Sequence, residues 1–173
     1  MFEPHAGKFP KIADSAFVHA AAVLIGDVEI GDQSSVWPHV TLRGDDGPIR
    51  IGSQTSIQDN AVIHCTEGWS LTSVGSRVTV GHSVILHGCT IHDDVLIGMG
   101  SIVLDNAVIE AGALVAAGTL VPPGKRVAAG TLVAGNPMRV VRVCGDKERE
   151  MIEQGWRAYV KRSAEYLERA RKG

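Results

Sequence analysis

Nineteen times between Val18 and Val133 an aliphatic residue returns at the same phase of a six-residue unit. The leads are Val18, Leu24, Ile30, Val36 and Leu42, then Ile51, Ile57 and Ile63, then Val74, Val80 and Leu86, then Ile91, Ile97, Val103, Ile109, Val115, Val121, Val127 and Val133. Four places after a lead stands a mostly small residue, as at Ala22, Ser34, Thr55, Ala61, Ser101, Ala107, Ala113 and Thr119. A period of six fits neither an amphipathic helix nor a half-buried strand; it fits the hexapeptide type of parallel β-helix. Three hexads close one triangular coil of about 18 residues, so the run predicts an all-β prism of roughly six coils. The leads fill the prism and the small residues fit its tight corners.

Composition agrees with a core of stacked Val, Ile and Leu, since 45% of residues are hydrophobic and only 5% aromatic. A formal net charge of -2 argues against a nucleic-acid surface. No apolar run approaches the roughly 18 residues of a membrane span, and residues 1–11 lack the apolar stretch of a signal peptide. The expected setting is therefore the cytoplasm, with no membrane partner. Cys65, Cys89 and Cys144 have no CxxC spacing and read as reduced thiols. Gly135, Asn136 and Pro137 signal a turn. Beyond it Met151, Ile152, Trp156, Tyr159, Val160 and Leu167 recur at helical spacing. The expected organisation is a β-helix over 1–143, with a short N-terminal lead-in, and a C-terminal helix over 144–173 packed on a prism.

Register counting places the histidines. Ile63 and Leu86 lie three hexads apart, as do Leu42 and Ile63, so Arg43, His64 and His87 form one column at the strand spacing of about 4.8 Å. The same count stacks Asp59, beside Gln58, on His82, one face earlier. Across a convex prism edge His82 diverges from His87, and two imidazoles are too few for a catalytic zinc, which takes three protein ligands and a water. A neighbouring chain can supply the third, and a three-fold ring then makes three equivalent sites while setting Arg43 opposite a neighbour's Asp59. His5, His19, His39 and His92 read as solvated surface residues. Spacing departs from six between Leu42 and Ile51 and between Ile63 and Val74, directly after Arg43 and His64. Insertions into a rigid repeat commonly rim its functional face.

The segments LRGDD (42–46), IQDNAVIH (57–64), VGHSVILHGC (80–89), IGMGS (97–101) and GNP (135–137) resemble the gamma-class carbonic anhydrases and their close bacterial relatives. The resemblance implies a left-handed β-helical homotrimer with His64, His82 and His87 as metal ligands, His82 reaching across a subunit interface. It also implies that Gln58 hydrogen-bonds the metal-bound solvent and that Arg43 and Asp59 form an interface ion pair, with Asp45 beside them. Two departures weaken the expected proton route. Asp46 stands where the archetypal enzyme has a glutamate, and the long acidic loop is replaced by Thr66 to Ser73, whose one carboxylate is Glu67. Tyr159 is a further candidate, projecting from the helix.

Three neutral imidazoles leave zinc an open position and bring its water's pKa to about 7, which would supply a nucleophile for the reversible hydration of carbon dioxide. Fe2+ and Co2+ suit the same ligands, and no organic cofactor is required. Two other classes share the scaffold: an acyltransferase using a histidine as general base with coenzyme A between subunits, and a non-catalytic, metal-stabilised assembly module.

Overall fold

The lead aliphatics turn inward; Val18 at the start of the run is only partly buried, while Leu42, Ile57, Ile63, Leu86, Ile97, Val103, Ile109, Val115, Val121 and Val133 are all completely buried. The computed structural model describes residues 1–172, so Gly173, the last residue of the expected helical segment, lies outside the described residues. Parallel pairing stacks the leads in the counted register. Val18, Val36, Ile57, Val80, Ile97, Val115 and Val133 line one face. Leu24, Leu42, Ile63, Leu86, Val103 and Val121 line the second. Ile30, Ile51, Val74, Ile91, Ile109 and Val127 line the third.

The result is a left-handed hexapeptide β-helix of about 7 turns with a single C-terminal helix. It is longer than the roughly six coils counted from Val18 because the lead-in joins the stack, Phe2 pairing with Leu24 and Ile12 with Ile30. The corners carry a second rule besides the small residue. The third residue after a lead takes a left-handed backbone, as at Gln33, Gln54, Asn60, Arg77, Ser83, Asp94 and Asn106, and then at Gly100, Gly112 and Gly118. One residue in that region lets the chain turn sharply without breaking the ladders on either side.

Turn residues 135–138 do not lead straight into a helix. Arg139–Val143 first reverses direction and pairs antiparallel with Thr131–Ala134, capping the prism with an exposed strand. The helix Asp146–Lys172 follows. Glu148 reaches back to accept the Gly145 backbone N–H at 2.9 Å, which is half of a capping box, and takes both ends of the Arg142 guanidinium at 2.8 Å. The helix then runs back along the first face of its own prism, against the strands that carry Val80, Ile57, Val36 and Val18. Ile152 seals Cys144 and Leu114. Of the stripe expected to be buried, Met151 is exposed instead, being on the solvent side of Ile152. All three cysteines are buried and free. Among the described residues no helix is long and apolar enough to cross a membrane.

Candidate metal centre

His64 and His87 are Cα partners on adjacent turns, and Arg43 sits directly before them in the same column because Leu42 pairs with Ile63. The imidazoles meet edge to face, centroids 5.2 Å apart, with His64 Nδ1 and His87 Nε2 at 3.2 Å. Arg43 Nη2 lies 3.3 Å from His64 Nδ1.

The two insertions hold the other side of each ring. The first is drawn into the long strand Thr41–Ile51 and carries Asp45 and Asp46 outward from Arg43. Their carboxylates lie 3.2 and 3.1 Å from His64 Nε2, and Asp45 also accepts from Arg43 at 2.6 Å. Burial pushes the Asp45 carboxyl up, but the Arg43 hydrogen bond and charge, with His64, hold it below its ordinary value overall. The second insertion brings Thr66 and Ser70 onto Asp105, whose Oδ2 lies 3.0 Å from His87 Nδ1. Burial likewise raises the Asp105 carboxyl, while Ser70, His87 and Thr66 bring it to a net lowered value. Thr72 ties the column's backbone together, donating to the His64 carbonyl at 2.7 Å and accepting from the Gly88 N–H at 2.9 Å.

Asp105 is absent from the sequence-derived candidates. The register that stacks Leu86 under Val103 puts Asp105 one turn from Gly88, so the count that aligned the histidines also contains this carboxylate.

The second column is equally ordered but separate. His82 Nδ1 lies 3.0 Å from Asp59 Oδ2, and both side chains are partly exposed. Gln58 is buried next to Asp59. Among the described residues no hydrogen bond or ion pair joins His82 to His64 or His87, and Arg43 pairs with Asp45 within its own chain. Glu67 is exposed on the second insertion and makes no such contact with the histidines. Tyr159 stacks against Trp37 with centroids 5.5 Å apart, beside Phe17 and Tyr166, so the single chain places it in a packing cluster. Burial raises its hydroxyl pKa, and the Asp59 charge adds to that rise. Cys65, next to His64, is held as a thiol by burial and by Asp46, Asp45 and Asp105, its pKa pushed to about 11.

The donor set fits a cation. A carboxylate beside His64 Nε2 and another beside His87 Nδ1 each favour a proton on that nitrogen, which leaves His64 Nδ1 and His87 Nε2 as acceptors, the former also facing Arg43 Nη2 at 3.3 Å. Two acceptors at 3.2 Å are stabilised by positive charge, from the Arg43 guanidinium beside His64 or from a cation held by both nitrogens. A tetrahedral metal with Zn–N bonds of about 2.0–2.1 Å places its ligand nitrogens about 3.3 Å apart, which matches. Asp45, Asp46 and His64 form a second donor set, their ligand atoms within 4.8 Å of one another. Both of its carboxylates face His64 Nε2, the edge of the ring turned away from His87.

The family described as bacterial transferase hexapeptide (six repeats) matches residues 88–123. A probable carbonic anhydrase of Methanocaldococcus jannaschii is 49% identical over 152 residues, covering 88% of this chain and 95% of that protein. A carbonic anhydrase of Geobacillus kaustophilus is 43% identical over 166 residues, covering 96% of this chain and 91% of that protein. A solved structure described as a putative acetyltransferase of Bacillus cereus superposes with a TM-score of 0.94 at 40% identity, covering 96% of both chains.

Proposed function

The chain belongs to the gamma-class carbonic anhydrases and their hexapeptide-repeat relatives, and from that premise we propose that it catalyses the reversible hydration of carbon dioxide at sites between the subunits of a cytoplasmic homotrimer. The observation that carries this reading is the pair of facing nitrogens on His64 and His87, 3.2 Å apart with each ring backed by a carboxylate.

In this reading His64 and His87 of one chain and His82 of the partner subunit hold a divalent metal, zinc first, with Fe2+ or Co2+ accepted by the same imidazoles. When bound, such a metal supplies Lewis acidity that makes hydroxide available at a pH of about 7, the value established for carbonic anhydrase zinc. Asp59 engages His82 Nδ1 at 3.0 Å, which leaves Nε2 as the nitrogen available to ligate across an interface. Arg43 turns to Asp59 of the partner subunit and closes the interface that completes the site. The Gln58 amide, buried beside that interface, orients carbon dioxide or bicarbonate by hydrogen bonding. Asp46, behind the His64 ring and partly open to water, accepts the leaving proton through intervening solvent. Glu67, exposed on the loop, relays it to solvent. Tyr159 packs against Trp37 within its own chain, with its hydroxyl in reach of the Asp59 charge, and remains a candidate for the site between subunits.

Metal analysis and stopped-flow carbon dioxide hydration on one anaerobically purified sample test the proposal. About one divalent metal per chain is expected, with hydration rising with pH through neutrality. Mixing inactive His82→Ala and His87→Ala chains restores some intact sites, because each carries the ligands the other lacks. A monomeric mass by light scattering, or full metal retention in a variant with alanine at His64, His82 and His87, overturns it. The transferase description of the Bacillus cereus structure favours one other reading, acyl transfer from coenzyme A. Turnover of acetyl coenzyme A with small amines, in metallated trimer that shows no hydration, would select it. Absence of both activities would leave an assembly module.

A further inference from the structure

A histidine ligates through one nitrogen only if the other carries the proton, and the partner of that second nitrogen fixes both tautomer and ring angle. His64 has a shared, partly exposed partner in Asp45 and Asp46. His87 has a more deeply built one. Asp105 Oδ2 faces His87 Nδ1 at 3.0 Å, and its side chain is only 12% exposed. Its other oxygen accepts from Ser70 Oγ at 2.6 Å and Thr66 Oγ1 at 3.1 Å, while Ser70 Oγ accepts the Thr66 backbone N–H at 2.9 Å. Each hydroxyl spends its donor on Asp105, so the carboxylate cannot swing away without stranding both.

Gly88 makes the arrangement sterically possible. A Cβ at this position would overlap both Ser70 Oγ and Asp105 Oδ1, and the backbone φ is +61°. The residue after the histidine is thus small because the network passes through the space its side chain would fill. Ser70 and Thr66 belong to the insertion after His64, so that loop, lacking most of an acidic shuttle, has a structural occupation of its own.

We propose that Asp105, clamped by Ser70 and Thr66 across Gly88, is a positioning residue that holds His87 as the Nδ1–H tautomer with Nε2 aimed at the metal. This inference rests on the metal reading of His64, His82 and His87, and adds to it the source of the site's affinity. The clamp consists entirely of protein groups, so it constrains the His87 ring through side chains of this chain alone.

Two measurements test it on the full-length protein. In metal-free protein, long-range nitrogen–proton NMR correlations should show His87 protonated at Nδ1. Chelator competition with Zn2+ should show Asp105→Asn, which keeps the shape but removes the charge, weakening binding by about 10–100-fold. Ser70→Ala, which removes one of the two clamping donors, should weaken it by a smaller factor, and the Co2+-loaded protein should show an altered visible spectrum in both variants while the fold, by circular dichroism, is unchanged. His87→Ala separates the two levels of argument. If it abolishes binding while Asp105→Asn binds Zn2+ like the parent with an unchanged Co2+ spectrum, the positioning role is overturned and the metal site stands. If His87→Ala binds normally, the metal reading itself fails. An Nε2–H tautomer at His87 in the metal-free parent overturns the positioning role even if Asp105→Asn does not fold.

Discussion

The corner position four residues after a lead allows the same substitution to act with opposite signs in one fold. Thr55 and Thr119 both occupy that corner and both are 1% exposed. Thr55 Oγ1 donates to the Gly75 carbonyl at 2.7 Å and accepts the Val78 N–H at 3.1 Å, stitching two turns together. Thr119 Oγ1 is buried with no partner among the described residues. Valine is sterically at home here, since Val40, Val78, Val84 and Val95 fill the equivalent corner with no exposure at all. Thr119→Val therefore removes an unsatisfied hydroxyl and should stabilise by about 1–2 kcal/mol, whereas Thr55→Val strands two backbone groups and should cost about 1–3 kcal/mol. For a chain of this size each kcal/mol moves Tm by about 2–4 °C. Calorimetry at one protein concentration and one metal content should thus find Thr119→Val melting above the parent by about 2–8 °C and Thr55→Val below it by about 2–12 °C. Equal shifts of the same sign would refute the assignment of different hydrogen-bonding states to these two corners.

Two further outcomes concern the helix. The Arg142 hydrogen bonds, then the Gly145 N–H, lower the Glu148 carboxyl from 4.5 to about 2. A folded-state value below the unfolded one gives stability that is complete above about pH 4.5 and is lost as pH falls toward 2, so Glu148→Gln should flatten the acid limb of a Tm-against-pH curve in that window and leave its neutral limb sloping as before. Gly155 brings the helix against the prism so closely that a Cβ would lie 2.9 Å from Thr79 Oγ1. Gly155→Leu should lift this segment, lowering stability by about 1–3 kcal/mol and shifting tryptophan fluorescence to the red as Trp156 gains water; an unchanged spectrum and Tm would show the helix to sit more loosely than described.

What the amino-acid order disclosed and what it withheld have the same origin. The lead positions and the Arg43, His64, His87 column are legible because a ladder with a fixed period turns residue counting into geometry. Ile12 obeys that period too, standing six residues before Val18, and so belongs to the first turn; Phe2 reaches its place through the irregular segment 4–10, which no count can follow. Arg139–Val143 was hidden for a different reason: its exposed valines show no alternation, and its direction is set by the turn before it instead of by the repeat. Asp45 and Asp46 reach His64, and Ser70 and Thr66 reach Asp105, from the two places where the period breaks. The groups that tune the histidines are therefore carried by the residues least predictable from the repeat, because a regular hexad has no spare length with which to bring a side chain back over its own column. Asp105 is the informative exception. It lies on a regular hexad, one turn from Gly88, and its role emerges only when the absent side chain of Gly88 is counted as part of the site.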